Sequence, residues 1–534
     1  MGGLHMNNID NLILGDMSAV RSKGVSYLNQ NYFWPVSEDE FEDFSKFMHV
    51  EYINVTKKGN NSKLSDIAIV EFSFVKQLLQ IFHYNYVRKY AEINNLELIV
   101  GADSEQLFNP DWSKIGLYYS SLKPQHNKLL RLIRRIVRNV IFNKHLSLSK
   151  IIYGLLLGSN FTSVGSNDQI KREFIRKNKV FYNHVDWPDL LDTNTDILNN
   201  HNEFKVVFLN KIIKPYLKKL RESNSLFVKD IDFEQITEVW STRAFEAYLL
   251  YTRFKSFVKS SELLITEISK PIGKLITLSY QSSGCKVYCF HHGNDAVATI
   301  QSQTFSMNIS QCNNFVAPTL GVASRYKKHY SNVNRISSSC TEFLSVNSGR
   351  MYDLYLNNTN KSINENVETI MLIGYPFNSN RYIGGRGLFF YQQVDLEYRL
   401  ISLLKSENKR VIYKAHPDRL KEIERVFDTV VDEIIVEPFE GVWNKADLLL
   451  FTYTSTTTFG YALTTNAPIV LLDSDSEIRD QDDMALLDRR VNRVPANISH
   501  DTRINFDKES LVNAITRSTD SISFDYVKDI YKAS

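Results

Sequence analysis

The sequence has 534 residues, which is more than one hydrophobic core usually serves and therefore predicts two domains. Its hydrophobic content of 43% and aromatic content of 12% exclude wholesale disorder, and a net charge of +3 is too small to indicate a nucleic-acid partner. The four cysteines lack CxxC spacing, which argues against a disulfide framework or a structural zinc site.

Two strands are predicted near the start of the chain. Residues 11–16 (NLILGD) form a short apolar run that ends in Asp16, and residues 96–103 (LELIVGAD) form another that ends in Asp103. A helical, aromatic-rich segment lies between them. Ligands of open α/β sheets bind beyond the carboxyl ends of strands, so both aspartates are reserve candidates for a catalytic carboxylate.

The segment 123–150 is strongly basic. No acidic residue occurs between Asp111 and Asp168, and KLLRLIRRIVRNVIF at 128–142 predicts a helix with arginines opposite an apolar face. That face comprises Leu129, Leu132, Ile133, Ile136, Val137 and Val140. The favoured interpretation packs this face on the domain. The alternative is a surface that approaches anionic lipid headgroups or a lipid-linked acceptor. Without interleaved stacking aromatics, the segment does not indicate nucleic-acid binding.

A βαβ unit is predicted after a helix at 238–260. The strand ELLITEIS ends near Glu267, a helix follows, and KVYCFHHGN ends a second strand at His291, His292 and Gly293. Residues 347–366 have linker composition. We therefore expect an α/β domain with helical insertions at 1–346 and a second α/β domain at 367–534 that ends in a closing helix.

The stretch 409–473 predicts a ligand site in the second domain. Polar residues follow three predicted strands, namely Lys414, His416 and Pro417, then Glu437, Pro438 and Phe439, then Thr454, Ser455, Thr456, Thr457 and Thr458. Small hydroxyl residues entering a helix offer backbone N–H groups to a phosphate, and a lysine and a histidine add donors nearby. This pattern indicates a nucleotide monophosphate or diphosphate site.

Four motifs taken together resemble those of bacterial surface-polysaccharide transferases with cytidine-nucleotide donors. They are FHHGN at 290–294, IGYP at 373–376, YKAHP at 413–417 and TYTSTTTFGYAL at 452–463. The arrangement is similar to that of CMP-Kdo-dependent Kdo transferases, polysialyltransferases and CDP-glycerol glycerophosphotransferases. His291 stands where the glycerophosphotransferases have tryptophan, and HHGN looks closer to transferases related to retaining β-Kdo transferases. The resemblance implies a GT-B-like fold, two doubly wound parallel-sheet domains with a cleft between them.

The resemblance also implies roles for individual residues. Lys414, His416, Ser455 and Thr456 would contact the donor phosphate, and the loop at Glu437 to Phe439 would lie near the base. Thr457 joins the phosphate contacts by its position in the same loop. Stabilising a leaving phosphate in this way is worth most in a dry cleft.

The remaining candidates are chosen by chemistry and strand position. Glu267 is the preferred catalytic carboxylate, with Asp103 in reserve and His292 as its orienting group, as a phosphate contact or as the base. His291, Arg243 and Arg325 are candidates for binding a sugar carboxylate or the acceptor, since guanidinium binds carboxylates bidentately. No metal site and no cofactor are expected, because the acidic residues and histidines lack metal-ligand spacing.

These observations predict a glycosyltransferase that transfers a sugar acid, with Kdo favoured, from a CMP-activated donor to a glycan acceptor. The product would be a capsule or a lipopolysaccharide O-antigen. The alternatives are a CDP-glycerol or CDP-ribitol phosphotransferase, a UDP-sugar 2-epimerase and a catalytically inactive binding module. No signal peptide is visible and the apolar runs are too short to span a bilayer, so we expect a cytoplasmic protein that contacts the membrane peripherally, if at all.

Overall fold

The structure is a computed structural model, and the description below is confined to the following residues of the chain: 11–58, 62–102, 104–119, 121–122, 128–166, 168–191, 202–266, 268–291, 300, 309–331, 341–359, 366–377, 389–416, 420–474, 479–519 and 522–532.

The N-terminal part is a helical layer with a small sheet. Strand β1 (Leu12–Leu14) pairs in parallel with β2 (Glu97–Ile99), so both predicted strands exist, but they form a separate two-stranded sheet. The helices between them are α1 (Met17–Lys23), α2 (Val25–Gln30), α3 (Glu38–Lys58) and α4 (Ser62–Asn94). At 33 residues α4 is about 50 Å long, and it contacts helices that cover the next sheet.

The first large sheet, here called the first sheet, has six parallel strands in the order β4-β3-β5-β6-β7-β8. They are β3 (Phe161–Val164), β4 (Tyr182–Val185), β5 (Glu262–Ile265), β6 (Lys286–Phe290), β7 (Asn314–Ala317) and β8 (Glu342–Ser345). The helices of this part of the chain are α5 (Glu105–Phe108), α6 (Trp112–Gly116), α7 (Lys128–Phe142), α8 (Leu148–Leu157), α9 (Gln169–Asn178), α10 (Asn202–Phe208), α11 (Lys214–Glu222), α12 (Phe233–Ser256), α13 (Pro271–Gln281), α14 (Leu320–Tyr330) and α15 (Arg350–Asn358).

The second sheet has seven strands in the order β11-β10-β9-β12-β13-β14-β15, and the last pair is antiparallel. They are β9 (Thr369–Ile373), β10 (Arg410–Lys414), β11 (Glu433–Ile435), β12 (Leu448–Phe451), β13 (Ile469–Asp473), β14 (Asn492–Ile498) and β15 (Ile504–Phe506). The accompanying helices are α16 (Phe390–Ser406), α17 (Leu420–Ile423), α18 (Phe439–Val442), α19 (Thr457–Leu463), α20 (Gln481–Leu487), α21 (Lys508–Thr516) and α22 (Asp525–Tyr531).

The central strands of the second sheet are apolar on both faces. All four residues of β12 and all five of β13 are buried, because helices cover a parallel sheet on both sides. Such strands appear in a sequence as continuous apolar runs, which is how residues 409–473 predicted them. The predicted α/β class with parallel sheets is confirmed.

Helix α16 carries an unusual number of buried polar side chains. Gln392, Gln393, Asp395 and Glu397 are all buried. Asp395 accepts hydrogen bonds from Arg503 at 2.7 Å and from Asn29 at 2.9 Å, and it pairs with Arg399 at 2.8 Å. One carboxylate therefore ties the segment before α3 to the turn between β14 and β15.

Aromatic packing reinforces this contact. The ring of Trp34 lies 4.9 Å from those of Phe389 and Tyr391, and its Nε1 donates to His83 of α4 at 3.2 Å. The beginning of the chain thus packs on α16, inside the half of the sequence predicted as the second domain.

The end of the chain makes the reciprocal contact. Helix α22 packs against α14, which belongs to the first half, and against α15, a helix that lies within the segment 347–366 whose composition suggested a linker. Arg325 of α14 pairs with Asp483 and with Asp529, both at 2.7 Å, and lies over the ring of Tyr526. We therefore assign Arg325 to fastening the closing helix, in place of the predicted contact with a substrate carboxylate.

We predict that Asp395→Asn lowers the free energy of unfolding by about 3–5 kcal/mol, because it leaves two arginines without their shared buried counter-ion. The measurement is urea unfolding followed by circular dichroism. Glu222→Gln is the control, since Glu222 forms only exposed pairs with Lys218 and Lys219 and should lose about 0–1 kcal/mol. Equal losses for the two variants would contradict the central role of Asp395.

Candidate functional site

The second sheet has a topological switch point between β9 and β12. From β9 the chain continues outward to β10 and β11, then returns to the other side of β9 at β12. Ligands of doubly wound folds bind in the crevice outside the carboxyl ends at such a point. The loop at Gly374 and Tyr375 follows β9, and the hydroxyl-rich loop at 452–456 follows β12. Two of the sequence motifs thus meet at this crevice.

Tyrosines join the two loops. Tyr453 Oη donates to the carbonyl oxygen of Gly374 at 3.3 Å, and the rings of Tyr453 and Tyr375 meet edge to face with centroids 5.0 Å apart. Both tyrosines are buried, so their contact holds the two loops together. Neither tyrosine was predicted as a site residue.

Lys414 lies at the carboxyl end of β10, one strand from β9 on the side away from β12. Its side chain is 5% exposed and its ammonium group donates to the carbonyl oxygen of Ala415. Burial lowers the pKa of Lys414, while the carboxylates of Glu437 and Glu440 act in the opposite direction. His416 is exposed two residues further on, and Pro417 lies outside the described residues. Lys414 is thus a partly desolvated cation at the edge where the crevice opens.

The loop after β11 is only partly accessible. Glu437 is exposed, and its pKa is lowered by hydrogen bonds from backbone N–H groups, including that of Val436. Pro438 is exposed and immediately precedes α18, whereas Phe439 is buried with its ring edge-on to Tyr461 of α19. Of the loop predicted to lie near a base, Glu437 and Pro438 remain available to a ligand.

The hydroxyl-rich loop enters α19. Thr456 caps that helix by accepting a hydrogen bond from the Thr458 N–H at 3.3 Å, Ser455 is half-buried and Thr457 is exposed. Because α19 has only seven residues, its dipole is weak. We therefore attribute any anion binding here to the loop hydroxyls and to Lys414.

Arg490 fixes the carboxyl end of α19. It is buried and donates to four backbone carbonyl oxygens at 2.7–3.2 Å, those of Ala462, Leu463, Thr465 and Ala467. Burial lowers the pKa of Arg490 to about 9. A cation at the end of a helix satisfies carbonyls that have no intrahelical partner, so Arg490 fixes the helix that follows the loop.

Glu397 lies beneath the crevice and was not predicted. Its carboxyl group accepts hydrogen bonds from the Tyr375 N–H at 2.7 Å and from Tyr413 Oη at 2.8 Å. Burial raises the pKa of Glu397 to about 8. A Cβ atom on Gly374 would lie 2.2 Å from Tyr413 Oη, so glycine is required for this close approach. Glu397 thereby clamps the loop after β9 to strand β10.

The first sheet has its own switch point, between β3 and β5. Ser166 follows β3 and Thr266 follows β5, with their hydroxyl oxygens 3.0 Å apart, and Gly165 has φ +80°. Glu267, the predicted carboxylate, is the next residue after Thr266 but lies outside the described residues, as do His292 and Asp103. The roles of Glu267, His292 and Asp103 therefore stay predictions. In the sequence, Glu267 directly follows Thr266, which lies at the switch point.

Other predicted residues have structural surroundings. Arg243 Nε lies 2.9 Å from Glu71 Oε2, both side chains are buried, and the guanidinium also lies over the rings of Phe74, Tyr118 and Tyr119. An arginine enclosed in this way has no access to a substrate, so the predicted contact with a sugar carboxylate is replaced by a role in the core.

Asp16 and His291 are also interior. Asp16 is fully buried and accepts from the N–H groups of Ala19 at 2.8 Å and Gly101 at 2.9 Å, so it caps α1 and joins it to the loop after β2. His291 is buried, and its ring lies roughly perpendicular to that of Tyr326 with the centroids 5.5 Å apart. Neither residue faces a crevice in the way that the sequence suggested.

A hydrogen-bonded chain of serine, histidine and aspartate occurs in the first sheet. Ser163 Oγ lies 3.4 Å from His184 Nδ1, and His184 Nε2 lies 3.3 Å from Asp186 Oδ1. Ser163 is fully buried within β3, so its hydroxyl cannot reach a substrate, and burial lowers the pKa of His184 to about 3. We assign this chain to the core.

The described residues show no sign of a metal site or of a membrane-spanning helix. No group of three or more His, Cys, Asp or Glu side chains in the described ranges is arranged to hold a metal ion. None of the helices in those ranges combines the length and apolarity needed to cross a membrane. Comparisons with protein-family models and with curated proteins returned no match for the chain. The sequence motifs and the geometry of the candidate site are therefore the evidence for function.

We predict that Glu397→Gln flattens the pH dependence of stability between about pH 5 and pH 8. The unfolded chain releases this proton near the ordinary value of 4.5, whereas the folded protein retains it until about pH 8, so wild-type stability falls across that interval. The glutamine amide does not titrate. The difference in the free energy of unfolding between the two proteins should therefore change by a few kcal/mol across this pH interval. Urea unfolding at each pH measures it. Parallel curves for the two proteins would contradict the assignment, and Glu222→Gln provides an exposed control.

Proposed function

We propose that the protein is a glycosyltransferase of GT-B type that takes its sugar from a nucleotide donor. The observation that carries this proposal is the crevice at the switch point of the second sheet. There the loop at Gly374 and Tyr375, the hydroxyl-rich loop at 452–456 and the Lys414 side chain surround the carboxyl ends of neighbouring strands. The strand order β11-β10-β9-β12-β13-β14 corresponds to the dinucleotide-binding order 3-2-1-4-5-6, which favours a nucleotide as ligand.

The two-lobed architecture is part of the same proposal. Each large sheet has a switch point with polar residues, and α22 crosses from the second half to pack on the first. In a GT-B arrangement the nucleotide binds to the second half and the acceptor to the first. The position of Thr266 at the first switch point would bring the neighbouring Glu267 to the acceptor side.

A CMP-linked sugar acid, with Kdo favoured, is the proposed donor, on the strength of the motif resemblance. In the reaction the bond between the anomeric carbon and the phosphate oxygen of CMP breaks, and a bond to an acceptor hydroxyl oxygen forms. Lys414 and the hydroxyls of Ser455 and Thr456 would stabilise the leaving phosphate. Glu267 would take the acceptor proton or act first as the nucleophile.

A lysine that is largely out of water suits this role. The attraction between an ammonium group and a phosphate grows as the local dielectric constant falls, so Lys414 would stabilise the leaving group more strongly than an exposed lysine could. Burial lowers the pKa of Lys414, and the carboxylates of Glu437 and Glu440 oppose that shift.

We predict that calorimetry will show selective binding of CMP over UMP and GDP, and that Lys414→Met weakens CMP binding by about tenfold or more. Lys405→Met is the matched control, because Lys405 pairs with Asp432 beyond the opposite, amino end of β10. A preference for CDP would favour polyol phosphate transfer, and one for uridine nucleotides would overturn the assigned donor. Failure to bind any nucleotide would overturn the proposal.

We further predict that Glu267→Gln lowers turnover of CMP-Kdo by at least about a hundredfold while CMP affinity stays at the wild-type value. The measurement pairs release of CMP in the presence of acceptor glycan with calorimetric binding of CMP. Thr266→Val tests the neighbouring position and should reduce turnover far less. Full activity of the glutamine variant would remove Glu267 from the mechanism.

A further inference from the structure

Helix α7 packs on the protein through asparagines. It lies along β4, the edge strand of the first sheet. Asn143 accepts from the Tyr182 N–H at 3.1 Å and donates to the Tyr182 carbonyl oxygen at 2.9 Å, while Asn139 accepts from the His184 N–H at 2.7 Å. Two asparagines four residues apart thus bond to backbone groups that an edge strand would otherwise leave open.

This packing turns the apolar face of α7 outward. Five apolar residues of the helix are 40–52% exposed: Ile133, Ile136, Val137, Val140 and Ile141. Four of the six residues predicted to form the inward face are among these, so the favoured interpretation is wrong for Ile133, Ile136, Val137 and Val140. The reason is that the hydrogen-bonding needs of the edge strand, and not the apolar pattern, determine which side of α7 faces inward. The side chains of the other two, Leu129 and Leu132, lie outside the described part of the chain.

Helix α8 extends the exposed apolar surface. Five of its large side chains are 48–78% exposed: Leu148, Ile152, Tyr153, Leu156 and Leu157. Single exposed apolar residues are ordinary, but ten on two contacting helices form a patch of the kind that marks an interaction site. We call these ten residues the α7–α8 patch.

The surroundings of the patch are cationic. The sequence has no acidic residue from 112 to 167. A cavity of about 920 Å³ beside α8 is lined by Arg135, Lys150, Lys179 and Lys259, and none of its lining residues is acidic. A second cavity of about 490 Å³ contains Lys144, Arg172 and Arg176 and again no acidic residue. Arg138 of α7 pairs with Asp186.

We propose that the α7–α8 patch docks on a membrane containing anionic phospholipid. Its apolar side chains would enter the boundary between headgroups and acyl chains, and the two cationic cavities would receive lipid phosphates. A free phosphate would leave the patch exposed to water. A second copy docked through the same patch would bring like-charged cavities together. An anionic bilayer satisfies the apolar and the cationic parts at once.

The docking surface is distinct from the nucleotide crevice. The larger cavity is lined by Asn160, Phe181 and Lys259, which precede β3, β4 and β5, and so lies at the amino end of the first sheet. The switch points lie at the opposite, carboxyl ends. Membrane docking therefore stands or falls independently of the proposed reaction.

The test is co-sedimentation of the full chain with vesicles. One set contains phosphatidylcholine alone and the other phosphatidylcholine with phosphatidylglycerol. We expect binding to the anionic vesicles, weakening as salt is added, and little binding to the neutral ones. Val140→Asp, Leu156→Asp and the double change Lys144→Glu with Lys150→Glu should each reduce the partition coefficient by about tenfold or more.

The controls separate docking from folding. Val50→Asp introduces the same charge at a valine on α3 that is 46% exposed, and it should bind as wild type does. Thermal midpoints should change little in every variant, because each replaced side chain is exposed at the surface. Equal binding to both vesicle sets, or wild-type binding by Val140→Asp and Leu156→Asp, would overturn the proposal. So would a lipid-free dimer in sedimentation that these two variants abolish, or binding of inorganic phosphate without binding of vesicles.

Discussion

The buried polar face of α16 is the constraint on which the rest of the structure depends. Asp395 joins the beginning of the chain to the β14–β15 turn, and two residues along, Glu397 fixes the loop after β9 against β10. Both groups are out of water, so each must keep its partners or cost several kcal/mol. A single helix therefore sets the position of the N-terminal segment and the shape of the crevice together.

The sequence predicts most of the second sheet, because strands covered on both faces must be continuously apolar, as at Leu448–Phe451. The prediction from sequence failed where the hydrophobic pattern does not determine which neighbouring element a helix face will pack against. The stripe on α7 is typical of a core-facing helix, yet Asn139 and Asn143 are the residues that pack inward. Hydrophobic periodicity identifies an apolar face, but only the topology reveals that an edge strand needs donors and acceptors at that place.

The sequence likewise predicted only part of the candidate site. Strand-end residues such as Lys414 could be placed at the edge of the sheet because their position follows from the strand pattern. Glu397 and Arg490 were missed, since a lone charged residue in an amphipathic helix or a loop looks like an exposed one until its burial is known. Arg243 shows the reverse error, because the chemistry of guanidinium suits a substrate carboxylate and an internal glutamate equally well.

The two chain ends are exchanged between the halves, with Trp34 packed on the region of α16 and α22 packed on α14. These packing partners are synthesised at different times, because they are far apart in the sequence. The N-terminal segment must wait for Phe389 to emerge, and the first half can pack against α22 only after residues 525–531 have been made. Domains of many proteins fold one after another as they are made. In this chain each half contains packing partners supplied by the other, so we expect the two halves to complete their folding together.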